Sequence, residues 1–171
     1  MFLLRAHGIK NHEGLSVNSR IICMIEYERI LLPTDGSDAS QDAIEYAVGT
    51  AAQHNATLHT LHVIDAGPDS TQDTAGGLSA DELNKEAKGY LESVTERANN
   101  AGGVAEASIK SGVAHRSIIE YVDENDIDLV IMGTRGRSGI HRFLLGSVAE
   151  KVIRTVDAPV MTVRPGLDAE A

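Results

Sequence analysis

The residues whose types and spacing could do chemistry gather between Met132 and Val148, in the stretch MGTRGRSGIHRFLLGSV. Gly133, Gly136, Gly139 and Gly146 fall inside it, Ser147 follows the last glycine, and Arg135, Arg137 and Arg142 add local positive charge. Glycine lets a backbone take positive φ and lets a ligand approach without meeting a Cβ. The apolar run from Ile127 to Ile131 reads as a buried strand, and the amphipathic segment Ala149 to Val156 reads as a helix. A helix N-terminus carries unpaired N–H groups and a partial positive charge, and both suit a phosphate. The chemistry on offer is a phosphate cradle; the plain alternative is a glycine-rich connection.

Spacing removes several commoner motifs. There is no G-x-x-x-x-G-K-[ST], and the glycines run G-x-x-G-x-x-G rather than G-x-G-x-x-G, so neither a P-loop of that kind nor a dinucleotide fingerprint is present. No G-x-S-x-G nucleophile elbow surrounds Ser138 or Ser147. What remains is Gly133-x2-Gly136-x9-Gly146-Ser147. Metal chemistry is not expected from the histidines, because His59 and His62 lie three apart on a strand and face opposite sides. The run Asp123-Glu124-Asn125-Asp126-Asp128 reads as a solvated helix end.

Elements able to position the cradle follow in regular order from residue 28. Arg29-Ile30-Leu31-Leu32 is a short strand stopped by Pro33, and Thr34-Asp35-Gly36-Ser37 is a turn, with Ser37 or Asp38 as the cap of the next helix. Ala39, Ala43, Ile44, Ala47, Val48 and Ala51 keep helical spacing to about His54, and Asn55 ends the helix. Thr57 to Ile64 is a second strand, ending at Asp65; the Gly- and Pro-containing segment 66–78 is a loop. Ser79 and Glu82 form a capping box, Leu83, Ala87, Tyr90, Leu91, Val94 and Ala98 face one side, and Gly102-Gly103 stops the helix. Val104 to Lys110 is a strand with a solvated face or an edge, turned by Ser111-Gly112 into a helix that ends near Asn125. Ile127 to Met132 is the fourth strand and Val160 to Val163 the fifth.

This order predicts an α/β fold: a five-stranded, mostly parallel sheet with helices on both faces and right-handed crossovers. Ligands of such sheets sit beyond the carboxyl ends of the strands, where strand order reverses. The turns Pro33–Ser37 and Gly133–Ser147 are the expected neighbours there.

Composition bounds the partners. The chain has 171 residues, 42% hydrophobic, enough for a substantial core, but aromatics are 4% with no Trp, which disfavours stacking platforms for single-stranded nucleic acid. A net charge of −10 repels nucleic-acid phosphates and anionic membranes, so neither partner is expected. One cysteine, Cys23, cannot form an internal disulfide, no apolar run reaches the length of a spanning helix, and MFLLRAHG is too short for a signal-peptide core, so a cytoplasmic protein is expected. Residues 1–23 carry +2, leaving −12 on the remainder, and show no sustained period. They read as a poorly ordered extension before a domain at 24–166, with Met24 as a candidate start of translation and 167–171 as a polar tail.

The glycine pattern on the last βα turn resembles that of the universal stress protein family. Arg29-Ile30-Leu31-Leu32-Pro33-Thr34-Asp35-Gly36-Ser37 is similar to that family's opening strand and turn, Leu61-His62-Val63-Ile64-Asp65 to its second strand, and Ala158-Pro159-Val160-Met161-Thr162-Val163 to its last. The family has an ATP-binding branch and a branch without the glycines that does not bind ATP; this chain keeps every glycine of the motif and the serine. The resemblance implies a Rossmann-like, adenine-nucleotide alpha-hydrolase-like sheet that binds ATP, with Mg2+ or Mn2+ held mainly by the phosphates and water. It implies Pro33, Thr34 and Asp35 at the adenosine, the Asp35 carboxylate on the ribose hydroxyls, and backbone contacts from Val63 to adenine. Met132 and Gly133 would pass under the nucleotide, Arg135 and Gly136 would border the phosphates, and Gly146, Ser147 and Val148 would bind them through N–H groups and the Ser147 hydroxyl. Asp35 as a mere turn residue, Ser147 as a mere cap, and Arg135 and Arg137 as solvated charges are the competing readings. Arg137 to Leu145 would form a cover.

The resemblance also implies a homodimer, with Val160–Val163 as an edge strand open to pairing. The function expected is a stress-response or signalling module with little or no turnover, since no general base or nucleophile with an orienting partner is evident. The alternatives are a nucleotide-hydrolysing or adenylyl-transferring enzyme on the same fold, and a nucleotide-free dimerisation module. The first turn, with a proline and one glycine, fits an adenylyl-transfer loop poorly.

Overall fold

Apolar residues in β1 (Arg29–Pro33) and β4 (Leu129–Gly133) leave no polar face, and in the computed structural model both strands lie inside the sheet. The structure describes residues 26–37, 40–65, 80–134 and 145–164. Between and around those strands run α1 (Gln41–His54), β2 (Thr57–Asp65), α2 (Ala80–Asn100), β3 (Val104–Gly112), α3 (Ala114–Glu124), α4 (Ser147–Thr155) and β5 (Val160–Val163). The five strands are parallel in the order β3-β2-β1-β4-β5. The chain winds outward from β1 to β3, then returns to the other side of β1. With crossovers of one hand, that reversal puts the helices on both faces.

Side chains of the central strands alternate between two cores. Ile30, Leu32, Leu58, Leu129 and Ile131 pack with α1 and α2, through Ala43, Ile44, Ala47, Val94 and Ala98. Leu31, Leu61, Val130 and Met132 pack with α3 and α4, through Ile118, Val122, Ala149 and Val152. Covered on both sides, β1 and β4 read as unbroken apolar runs. The outer strands β3 and β5 are more exposed, as expected of edges. Among the described residues no helix is long and apolar enough to cross a membrane.

Several boundaries differ from the expectations. Ser111 and Gly112 do not turn the chain; they extend β3, opposite Ile64 and Asp65. Nine residue pairs in parallel register outweigh a local turn preference, and Gly112 takes a φ of 152° that L side chains rarely adopt, with a Cβ there 3.0 Å from the Ser117 hydroxyl. α1 begins after Ser40, not after Ser37 or Asp38. The Ser37 hydroxyl instead donates to Asp35 Oδ1 at 2.6 Å, and Ser40 N–H donates to the Ser37 carbonyl at 3.0 Å. β4 starts at Leu129 rather than Ile127, because the Asp128 carboxylate accepts from the N–H groups of Glu28 at 2.8 Å and Arg29 at 2.7 Å. Asp128 is thus a clasp on the start of β1 and not part of a solvated helix end. Asn55, with φ of 54°, ends α1 as expected. The extension at 1–23, the tail at 167–171, Asp38, Ala39 and the Ser79 cap lie outside the described residues.

His59 and His62 do point to opposite sides of β2. His59 is buried, its Nδ1 3.1 Å from the Tyr121 hydroxyl, which is itself 3.2 Å from Ser108 Oγ. Burial lowers the His59 pKa from 6.5; Glu106, 3.9 Å away, raises it against that trend, and Arg29 lowers it further.

Candidate functional site

Strand order reverses between β1 and β4, which pair through Ile30–Leu129 and Leu31–Val130. Their carboxyl ends therefore emerge side by side, and the two glycine-containing turns leave from adjacent strands, as the sequence predicts.

The turn after β1 is built from side chains. Pro33 is buried at the strand end, and Thr34 N–H donates to the Leu61 carbonyl at 2.9 Å, carrying the ladder one residue further. Asp35 Oδ1 accepts from Ser37 N–H at 3.1 Å and from the Ser37 hydroxyl at 2.6 Å, an Asx turn. Gly36, at φ of 74°, supplies the left-handed residue that closes it, and its N–H meets Thr34 Oγ1 at 3.3 Å. Asp35 is thus both turn residue and oriented carboxylate, so the two readings of it are compatible.

The turn after β4 is defined at its two ends. Met132 is buried against the α3–α4 core, and Gly133 pairs with Val163. Thr134 N–H donates to the Val163 carbonyl at 3.0 Å, and its own carbonyl accepts from Gly146 N–H at 2.8 Å. That last bond closes the base of the loop and sets Gly146 as the N-cap of α4. It also corrects one expectation: in this structure Gly146 N–H is committed to Thr134 and is not turned to a phosphate. The first intrahelical bond is Glu150 N–H to the Gly146 carbonyl at 2.9 Å. The N–H groups that helix geometry leaves over are those of Ser147, Val148 and Ala149. Ser147 is exposed and Val148 half-buried. Ala149 is a third donor position that the sequence reading missed, because its small apolar side chain suggests only packing. Arg135, Gly136 and the expected cover lie outside the described residues.

Val63 lies two residues beyond Leu61, the β2 partner of Pro33, half-buried toward the α3–α4 core. A cavity of about 120 Å3 opens on the opposite, α2-facing side, where Gly36, His62, Ile64, Glu86 and Tyr90 line it. It adjoins the first turn, not the end of α4. Two further residues bear on the site that sequence alone did not single out, Ser40 and Tyr90. Ser40, Tyr90 and Thr34 form a closed triangle of hydroxyls, at 3.2 Å from Thr34 to Ser40 and 3.1 Å on each of the other sides. The only signal for Tyr90 was a phenol on an otherwise aliphatic helix stripe. Among the described residues no cluster of three or more His, Cys, Asp or Glu could hold a metal.

A doubly wound parallel α/β domain with a glycine-flanked helix N-terminus at the strand reversal is an architecture suited to nucleotides. The sequence profile of the universal stress protein family matches residues 26–164, and the chain belongs to that family. It is 34% identical over 140 residues to universal stress protein MJ0531 of Methanocaldococcus jannaschii, covering 81% of this chain and 82% of that one. Among solved structures, MJ0577, a universal stress protein of the same organism, superposes with a TM-score of 0.74 at 28% identity, covering 84% of this chain and 99% of that one. A universal stress protein solved in complex with cAMP superposes with a TM-score of 0.64 at 27% identity, covering 83% of this chain and all of that one (100%).

Proposed function

We propose that this chain binds ATP at the β1/β4 reversal and serves as a nucleotide-dependent stress-response module with little or no turnover. One observation carries the reading. The Thr134–Gly146 bond, 2.8 Å long, ties the end of β4 to the start of α4, so a glycine strand end meets helix N–H groups on the strand paired with β1, from which the Asp35 turn leaves. The residues fit the ligand's chemistry: Ser147 and Val148 offer N–H groups to phosphate, Gly133 admits it, and Asp35 is a held acceptor for sugar hydroxyls. Gly146 contributes through the backbone turn it makes. Pro33, Thr34, Met132 and Val63 line the adenosine end, and Arg135 and Gly136 border the phosphates. Mg2+ or Mn2+ would be carried by the phosphates and water. The relative bound to cAMP is a precedent for an adenine nucleotide in this fold. Asp35 is the carboxylate of the first turn, and its bonds to Ser37 suit a fixed acceptor better than a base.

In this reading the protein acts in the cytoplasm as a homodimer through β5. Met161, within that strand, is 40% exposed and adds apolar surface to the edge. Sedimentation equilibrium is expected to give twice the 18.2 kDa chain mass; a monomer at all concentrations would reject the dimer. The nucleotide is tested by mass spectrometry of what natively purified protein releases. ATP supports the reading, no adenine nucleotide even after incubation with ATP rejects it, and rapid release of AMP and pyrophosphate would favour adenylyl chemistry.

A further inference from the structure

We infer that Tyr90 of α2 is a positioning residue for the sugar-reading turn, setting how strongly the protein prefers a ribonucleotide. The inference rests on the ATP reading above. Its basis is the proton count in the hydroxyl triangle. Ser40 Oγ–H donates to the Ser37 carbonyl at 2.6 Å, so that proton is committed. The three edges among Thr34, Ser40 and Tyr90 are then served by the protons of Thr34 and Tyr90 alone. Thr34 and Ser40 are buried, so water does not readily replace a lost donor.

The triangle reaches the carboxylate by two routes. Thr34 Oγ1 accepts from Gly36 N–H at 3.3 Å, and Ser40 holds the carbonyl of Ser37, whose N–H and hydroxyl in turn hold Asp35 Oδ1. A phenol 50 residues beyond Ser40 thus bonds Thr34 directly and reaches Ser37 through Ser40, on the two sides of Asp35. Without the Tyr90 hydroxyl, one proton and one contact remain, and the turn loses this tie to α2.

The test is titration of full-length wild type, Tyr90→Phe and Asp35→Ala with ATP and with 2′,3′-dideoxyATP, each with Mg2+. Tyr90→Phe keeps the ring and removes only the hydroxyl. Affinity for ATP is expected to fall about fivefold, as for loss of one hydrogen bond, while affinity for the dideoxy analogue is unchanged. A merely structural loss would weaken both ligands equally and would overturn the inference. Ser40→Ala, which cuts the link to Ser37, is expected to reproduce the loss of preference and serves if Tyr90→Phe folds poorly. If Asp35→Ala abolishes the preference while Tyr90→Phe and Ser40→Ala keep it, the inference fails and the ATP reading stands. If wild type binds neither nucleotide, both fail.

Discussion

The turn that leaves β1 is held by side chains, whereas the described ends of the turn that leaves β4 are held by backbone. In the first, Thr34, Asp35, Ser37, Ser40 and Tyr90 bond to one another and to the turn's own N–H and carbonyl groups. In the second, Thr134 bonds to Val163 and Gly146 bonds to Thr134 through main-chain atoms. The difference matches the two tasks proposed for them. Reading a sugar needs a carboxylate kept in one place, which side-chain bonds provide. Receiving a phosphate needs N–H groups and close approach, which glycine and a helix end provide whatever the neighbouring side chains are.

That contrast breaks most easily at Gly133. Gly133→Val puts a branched side chain on the strand end under the proposed nucleotide. ATP affinity is expected to fall roughly ten- to hundredfold, measured by calorimetry, because charge-assisted contacts to phosphate are lost. An equal loss from changing the first turn alone would mean that the two turns do not divide the work. Asp35→Ala is expected to cost about five- to tenfold for ATP and much less for the dideoxy analogue. Equal losses for both ligands would move Asp35 away from the sugar.

A third measurement separates both turns from the scaffold beneath them. Burial lowers the His59 pKa below 6.5, with Glu106 acting against it and Arg29 in the same direction. Tyr121 faces the ring directly, and Lys110 lies 5.4 Å from the Tyr121 ring centre. A base with a depressed folded pKa resists a proton that the unfolded chain accepts. Its contribution is therefore intact above about pH 6.5 and is lost as pH falls through the depressed value. The urea midpoint of wild type is expected to drop between pH 7.5 and pH 5 by more than that of His59→Gln. Identical drops would remove His59 from the acid sensitivity.

The smallest effect sharpens the role of α2. Gly89 precedes Tyr90 in the helix, and a Cβ there meets nothing within 4 Å. Gly89→Ala is expected to stabilise by about 0.5–1 kcal/mol, a rise of about 1–4 °C in Tm, with nucleotide preference unchanged. A changed preference would mean that helix stiffness, rather than the Tyr90 hydroxyl, acts on the turn.

Much of this architecture was legible in the sequence because it rests on periodicity. Ile30 to Leu32 and Leu129 to Ile131 are unbroken apolar runs since both faces are covered, and that predicts central strands. Alternating strands and helices made the two turns candidates for neighbours, but that β1 and β4 pair is shown by the strand order of the structure. Long-range polar pairing was not legible. Nothing in the run Asp123 to Asp128 says that one carboxylate clasps the N–H groups of residues 28 and 29. Periodicity places Tyr90 on the buried face of α2 but is silent about a hydroxyl that reaches Thr34 and Ser40. Local signals also misled where pairing overrode them, as at Ser111-Gly112. At Gly146 the destination of the N–H depends on Thr134, twelve residues earlier, which no local pattern reveals.

Titration calorimetry with ATP and Mg2+ on wild type and on Gly133→Val/Ser147→Ala tests the central claim most directly. The account predicts saturable binding by wild type and at least about a tenfold loss in the variant, with Tm of the ligand-free protein little changed. Equal affinity in the two proteins would contradict the cradle at the end of β4 and the start of α4.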